Sequence, residues 1–238
     1  MFLVLALASV PFSYDGALRP GQTLAIRDIN GSVRVRTGDR LAIRATKHAE
    51  RGDPNAVAIH VENRASGLVV CVRYPPDADR ACDARGSESH IGNDNDTAVD
   101  FDVTVPHGIV LDANTVNGSV DAVNDGPADA STVNGSLSLE ARDVHRVHTV
   151  NGSVNVRVLD RSRGTLSAHT VNGSIHIVLP EGTGVDLDAR TMTGDIDAAG
   201  VSVERSHYGP GARAKATLGD GARQLSLHTL NGSITLKR

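Results

Sequence analysis

Apolar residues occupy every second position in several stretches of the chain, for example in residues 154–158 and 175–179. Alternation with this period is typical of a β-strand that buries one face. The same stretches show no helical period. The pattern therefore predicts an all-β protein.

A six-residue motif precedes these strands and recurs along the chain. It consists of Thr, an apolar residue, Asn, Gly, a small polar residue and an apolar residue, as in residues 149–154. The Asn positions, with Thr193 in a degenerate copy, are separated by 17, 17, 21, 21 and 38 residues. The last step is about two repeats long, as if one copy had lost its motif. Copies begin at Asp28, Thr115, Thr132, Thr149, Thr170, Thr191 and Thr229.

The period of the motif predicts a β-solenoid built from Asn-Gly-Ser repeats of about 17–21 residues, in which equivalent residues stack. We expect the Asn-Gly pairs to supply the positive φ angles of tight bends, and the stacked Asn amides to form a ladder. Separate Asn-Gly hairpins in an antiparallel sandwich are the alternative, but the regular phase favours the coil. The predicted turn residues are Asn30, Gly31, Asn117, Gly118, Asn134, Gly135, Asn151, Gly152, Asn172, Gly173, Gly194, Asn231 and Gly232.

Asn-Gly-Ser also matches the Asn-x-Ser acceptor sequence for glycosylation. Its return at the same place in each repeat is better explained by turn chemistry. We therefore interpret the motif as structural.

Three regions can be distinguished along the chain. Residues 1–17 are predicted to be a shortened signal peptide, because Met1–Ala8 is apolar and ends in an Ala-x-Ala pattern, although a buried first strand is the alternative. Residues 18–110 form a strand-rich N-terminal region with an exposed loop at 75–97, and residues 111–238 form the repeat array, continuous with it. No later stretch is long enough to span a bilayer.

The two cysteines, Cys71 and Cys82, lie on the strand before this loop and inside it. In an exported chain we expect them to form a disulfide, and two free thiols are the alternative.

Composition limits the possible functions. The chain has three Phe, three Tyr, no Trp and a net charge of −4, which argues against binding of nucleic acid. No phosphate-binding loop, dinucleotide fingerprint or nucleophile elbow occurs, so we predict no cofactor and no catalytic residue.

Three histidines, His148, His169 and His228, each lie three residues before the repeat Asn. On a solenoid they would form a column, which could bind a metal ion through imidazole. Arg190 interrupts the series in sequence, and Asn114 and Ser131 hold the place in earlier copies. We therefore favour a solvated polar stripe and predict no metal site.

Two carboxylate pairs, Asp186/Asp188 and Asp195/Asp197, are predicted on the outer face, where they would serve an enzyme acting on polysaccharides. Ordinary outward-facing strand residues would look the same. Residues 93–96 (Asn-Asp-Asn-Asp) resemble a calcium loop in composition but lack its Gly and distal Glu.

Residues 29–35 and 99–108, the latter ending in Val-Pro-His-Gly, precede the Thr-Val-Asn-Gly-Ser array. In this order they resemble the bacterial "putative adhesin" family, also called the domain-of-unknown-function 4097 β-strand repeat family. The resemblance covers about residues 20–238, although residues 191–195 and 199–224 depart from the repeat. It implies an adhesin-like role and provides no catalytic residues to transfer.

We therefore predict an exported, non-enzymatic β-repeat protein of the bacterial envelope, in the periplasm or on the cell surface. It would act as an adhesin-like binding or scaffold module, and its partner would be an envelope protein or a surface glycan. A polysaccharide-active enzyme that uses the Asp pairs and an envelope-stress sensing module remain as alternatives.

Overall fold

The computed structural model of the chain describes residues 8–82, 95–205 and 210–238. These residues form strands and one 3-10 turn at Pro54–Ala56. The predictions of an all-β chain and of a strand-rich N-terminal region are confirmed. The strands are β1 (Ala8–Gly16), β2 (Thr23–Arg27), β3 (Val33–Thr37), β4 (Leu41–Ala49), β5 (Ala58–Arg64), β6 (Gly67–Arg73), β7 (Ala98–Val105), β8 (Val110–Asn114), β9 (Val120–Ser131), β10 (Leu137–Asp143), β11 (Arg146–His148), β12 (Val154–Val158), β13 (Gly164–His169), β14 (Ile175–Val178), β15 (Val185–Thr193), β16 (Ile196–Ala198), β17 (Val203–Arg205), β18 (Ala212–Leu218), β19 (Arg223–Asn231) and β20 (Ile234–Lys237).

The strands form a mostly parallel sheet that curves round an axis and has two faces, here called sheet A and sheet B. The spatial order in sheet A is β1-β4-β7-β3-β9-β10-β12-β14-β20-β16. In sheet B it is β5-β6-β2-β8-β9-β11-β13-β19-β15-β18-β17, so that the long strand β9 contributes to both. Alternate side chains of both sheets form one apolar core. This arrangement is typical of a β-solenoid.

We define a coil as one strand of sheet B, the motif that follows it and the next strand of sheet A, and name it by its motif Asn. The coils stack in the order Asn30, Asn117, Asn134, Asn151, Asn172 and Asn231, and the coil of Thr193 comes last. The final coil of the chain is therefore inserted between two coils that precede it in sequence. The coil of Asn30 is likewise inserted, between β6/β7 and the coil of Asn117.

The interpretation that one copy lost its motif within the 38-residue step is wrong. Most of this segment forms β17 and β18, which pair antiparallel beside β15 at the end of sheet B. The chain then returns to insert β19 between β13 and β15. The long step is thus an edge hairpin followed by a return.

The motif Asn residues form a ladder along the stack, as the sequence predicted. In each step the side-chain Nδ2 donates to Oδ1 of the neighbouring Asn at 2.8 Å, from Asn231 to Asn30. The buried motif Thr hydroxyls donate to Gly carbonyl oxygens of the adjacent coil at 2.8–3.1 Å. Each motif residue therefore has a bonding role between coils, which explains why the motif repeats as a unit.

The motif glycines are required by close contact rather than by a left-handed bend. None of the described Asn residues has a positive φ, and Gly118, Gly135 and Gly173 also lack one. An ideal Cβ at Gly152 would lie 2.0 Å from the carbonyl oxygen of Gly135. The predicted positive-φ Asn-Gly bend is therefore wrong, because the neighbouring coil approaches where a Cβ would be.

Asp28 takes the place of the motif Thr in the first inserted coil, and only 4% of its surface is exposed. Burial raises the pKa of its carboxyl well above the ordinary value, and the charge of Asp100 adds to this. The amides of Ile29 and Asn30 oppose the shift, although neither carboxylate oxygen completes a hydrogen bond within the described residues. This copy of the motif therefore lacks the hydroxyl bond of the others.

Replacing Asp28 by Thr should raise the free energy of unfolding at neutral pH by about 1–3 kcal/mol, because a buried carboxyl without a partner is removed. A raised folded-state pKa lowers stability as pH rises from the unfolded value toward the folded one. The gain should therefore shrink toward about pH 3 in urea titrations. Thr115→Asp, which introduces the same defect in the next coil, serves as the reciprocal control and should destabilise.

Cys71 and Cys82 form a disulfide with a Cα–Cα distance of 5.8 Å, which joins β6 to the segment after it. Residues 83–94 of the predicted loop lie outside the described residues. Residues 8–16 of the predicted signal segment form β1, which pairs along its length with β4, and residues 1–7 are not described. In the described part of the chain, no helical segment has the length and hydrophobicity needed to cross a lipid bilayer.

Candidate binding face

Three exposed columns run side by side along the stack, and together we call them the column face. They occupy the first, third and fourth places of the sequence His148-Thr149-Val150-Asn151 and its equivalents in other coils. The residue at the second place is the buried motif Thr. Because neighbouring parallel strands lie about 4.8 Å apart, each column repeats its chemistry at that interval.

The first column, here called the imidazole column, lies on sheet B. Strand register places its members in the order Asn114, Ser131, His148, His169, His228 and Arg190. The sequence interpretation that Arg190 interrupts the three histidines is therefore wrong. Insertion of the final coil moves His228 between His169 and Arg190, so the three imidazoles are consecutive.

The imidazole rings are in contact with one another. The ring centroids of His148 and His169 lie 6.0 Å apart, and those of His169 and His228 stack at 4.9 Å. Burial, reinforced by the other two rings, lowers the pKa of His169. Burial and the charge of Arg190 lower the pKa of His228, while Asp188 opposes the shift. These two rings are therefore neutral at pH 7.

The second column, here called the aliphatic column, consists of the apolar motif residues. Val116, Val133, Leu230 and Met192 are exposed by 37%, 38%, 45% and 56%. Val150 and Val171 are half-buried members of the same column. Sequence reasoning missed this column, although a residue next to an inward-facing Thr should face outward. A row of exposed apolar side chains is a common feature of interaction surfaces.

The third column is the Asn ladder itself. Each amide has two N–H donors and two acceptor lone pairs, and the ladder uses one donor and one acceptor of an internal member. The side chains of Asn117, Asn134, Asn151, Asn172 and Asn231 are exposed. The ladder therefore presents a regular row of free donors and acceptors next to the aliphatic column.

The two predicted carboxylate pairs lie on different sheets and are held by cations. Asp188 on sheet B accepts hydrogen bonds from Arg190 at 2.8 and 2.9 Å and lies 3.1 Å from the Lys215 ammonium. These partners lower the pKa of Asp188 to about 2, with the Arg190 bonds contributing most. Asp195 next to sheet A pairs with Arg205 at 2.7 Å. A glycosidase needs a general acid with a raised pKa, which Asp188 does not provide.

Metal ligation was considered at two places. Residues 93 and 94 of the calcium-like segment lie outside the described residues, and Asp96 instead accepts hydrogen bonds from the amides of Arg51 and Gly52. Across residues 8–82, 95–205 and 210–238, no group of three or more His, Cys, Asp or Glu side chains is arranged to hold a metal ion.

The chain is similar in structure to several bacterial proteins at low sequence identity. It aligns with a crystal structure described as a "putative cell adhesion protein" from Clostridium sporogenes, with 13% identity and a TM-score of 0.46 over 96% of this chain and 99% of the other. For a "putative adhesin" from Bacteroides fragilis the values are 9%, 0.36, 95% and 97%. For a "putative adhesin" from Parabacteroides distasonis they are 9%, 0.29, 95% and 97%. These descriptions agree with the resemblance found in the sequence.

Searches by sequence found less. No family model matches the chain, the domain-of-unknown-function 4097 family included. No curated protein matches it either.

Proposed function

We propose that the chain is an exported, non-enzymatic β-solenoid of the bacterial envelope, which binds an extended partner through the column face. The observation that carries the proposal is the pairing of the aliphatic column with the Asn ladder across consecutive coils. Both columns repeat at the same interval, so a partner that repeats along its own length can make the same contact several times. The Cys71–Cys82 disulfide supports a location in an oxidising compartment, the periplasm or the cell surface.

A scaffold role alone would not need exposed apolar residues in the column. Exposed Val, Leu and Met side chains provide apolar contact area, and the neighbouring amides orient a partner through hydrogen bonds. The motif needs its Thr, Asn, Gly and Ser to hold the coils together, yet the exposed second residue contributes little to that purpose. Its apolar character in six successive coils therefore favours contact with a partner.

Site-directed photo-crosslinking in cells tests this proposal. A photo-reactive amino acid at Val133 on the column face should give discrete adducts in the envelope fraction. The matched control carries the same group at Asn155, which is exposed on the outer face of sheet A. We expect several-fold more adduct at Val133 than at Asn155, because only Val133 lies on the column face. Equal labelling at the two positions would contradict the proposal.

A further inference from the structure

Consecutive stacking of the three histidines is unexpected for a purely structural column. The Asn ladder and the buried Thr bonds already join these coils. Ser131 and Asn114 show that small polar residues fit the same place in other coils. Nε2 of His228 is shielded from solvent and has no hydrogen-bond partner within the described residues. The column therefore contains imidazoles whose ring nitrogens are not all committed to the fold.

The imidazole column leads into fixed positive charge. Arg190 follows His228 in register, and Arg213 on β18 lies opposite Arg190. None of the three column histidines forms an ion pair with a carboxylate, whereas three other described histidines, His48, His107 and His145, do. Protonation of the column would therefore create an uncompensated line of positive charge.

The carboxylates that face this line are already held by other groups. Asp188 on β15 is shared by Arg190 and Lys215. Asp129 on β9 accepts from the backbone amides of His145 and Arg146 at 2.9 and 3.0 Å. The next carboxylate in that row, Asp112, pairs with Arg27.

The other elements beside the column add more positive than negative charge. Arg146 on β11 and Lys215 on β18 lie in the neighbouring row. Glu204 on β17 lies opposite Arg213, beyond the end of the histidines. A partner that neutralises the protonated column must therefore come from outside the chain.

We propose that the column face is a binding site for an acidic polysaccharide and that protonation of His148, His169 and His228 switches it on. The inference rests on the proposed function and names its ligand class. Carboxylates of the polymer would pair with the protonated imidazoles and with the arginine end of the column. The C–H faces of the sugar rings would pack on the aliphatic column, and the hydroxyls would bond to free donors and acceptors of the Asn ladder.

Three features favour a linear sugar acid over other anions. The cationic positions are separated by a constant strand spacing of about 4.8 Å, which suits a polymer with one charge per unit. The aliphatic column offers a surface that a small inorganic anion would not use. The Asn ladder offers hydrogen bonds in number, as a polyhydroxyl ligand needs.

Acidification provides the switch, and its direction follows from linkage. The lowered pKa values of His169 and His228 keep these rings neutral until the pH falls below the ordinary histidine value of 6.5. An anionic ligand favours the charged rings and therefore raises those pKa values on binding. Binding should then take up protons from the buffer near pH 6, which calorimetry in buffers of different ionisation enthalpy can detect.

Polygalacturonate is the probe for this proposal, and dextran is the neutral comparison. Affinity for polygalacturonate should be about ten-fold higher at about pH 5 than at about pH 7.5, since three exposed ion pairs each contribute a few-fold. The variant H148Q/H169Q/H228Q should lose this pH dependence and the proton uptake. The control H48Q/H107Q/H176Q removes three histidines outside the column and should keep both. Thermal unfolding of each variant at both pH values verifies that the fold is intact.

The following outcomes would overturn the proposal. They are binding that does not depend on pH, equal losses in the two triple variants, or equal affinity for dextran. Equal affinity for polyglutamate would overturn the sugar assignment, because that polymer has carboxylates without sugar rings. If these tests fail while Val133 still gives specific adducts in cells, the proposed function stands and only the glycan assignment falls.

Discussion

Replacing Gly152 by Ala should lower the free energy of unfolding by about 3–5 kcal/mol, one of the two largest effects expected for a single substitution in this chain. The new Cβ would lie 2.0 Å from the carbonyl oxygen of Gly135, and that neighbour is backbone. Relief requires the two coils to separate, which also stretches the Asn134–Asn151 amide bond of 2.8 Å. Urea denaturation followed by circular dichroism measures the loss.

Two matched variants separate contact from torsion. Gly173 has the same contact, 2.0 Å to the Gly152 oxygen, but no positive φ, so Gly173→Ala should be as damaging. Gly164 has a φ of +108, but no atom lies within 4 Å of the position that a Cβ would take. Gly164→Ala should therefore cost only about 1 kcal/mol. If Gly164→Ala were more damaging than Gly173→Ala, the contact explanation would be wrong.

Arg223→Ala should also cost about 3–5 kcal/mol, because it leaves a buried carboxylate without its partner. The Arg223 side chain is 1% exposed, and it donates to Asp143 Oδ1 and to the Val144 carbonyl, each at 2.7 Å. A further bond to Ser162 ties the start of β19 to the segment before β13. This arginine therefore anchors the inserted final coil.

The pH dependence of this variant follows from Asp143. Burial raises the pKa of the Asp143 carboxyl, but the bonds from Arg223 and Ser162 outweigh it, and the pKa is lowered on balance. A lowered folded-state pKa gives stability that is present above the unfolded value and is lost as pH falls through the folded one. The difference between wild type and Arg223→Ala should therefore narrow below about pH 4.

Arg205→Ala is the control for this ion pair. Arg205 pairs with Asp195 at 2.7 Å, but both side chains are more than two-thirds exposed. Exposed pairs contribute little, so the urea midpoint should scarcely change. Equal losses from the two arginine variants would show that Arg223 does not anchor the coil.

The sequence predicts the strands and the ladder because each depends on one repeat. Alternation identifies the buried face, and the recurrence of Asn at one place indicates stacked amides. The order of the coils is a different matter, since β15 and β19 have the same pattern and either would fit beside β13. Local patterns do not distinguish these neighbours.

The column of histidines shows the consequence. Read in sequence order, Arg190 separates His169 from His228, and the column looks interrupted. Only the insertion of β19 makes His148, His169 and His228 consecutive. The candidate site could therefore be predicted in its residues but not in its continuity.

Two buried charges could have been found from the sequence. Arg223 is in phase with the core residues Leu225 and Leu227, so alternation places it inward. Asp28 stands where other copies have a buried Thr. In both cases the repeat indicates burial, while the residue type alone suggests exposure.

Insertion of the final coil is the central claim, and cross-strand disulfides test it most directly. Ser167 on β13 is in register with Ser226 on β19, which in turn is in register with Asp188 on β15. Neighbouring strands are about 4.8 Å apart, within the reach of a disulfide, whereas strands separated by another are about 9.6 Å apart and beyond it. S167C/S226C should therefore oxidise in the folded protein, and S167C/D188C should not. Oxidation of S167C/D188C with S167C/S226C left reduced would mean that the coils stack in sequence order and would contradict the account.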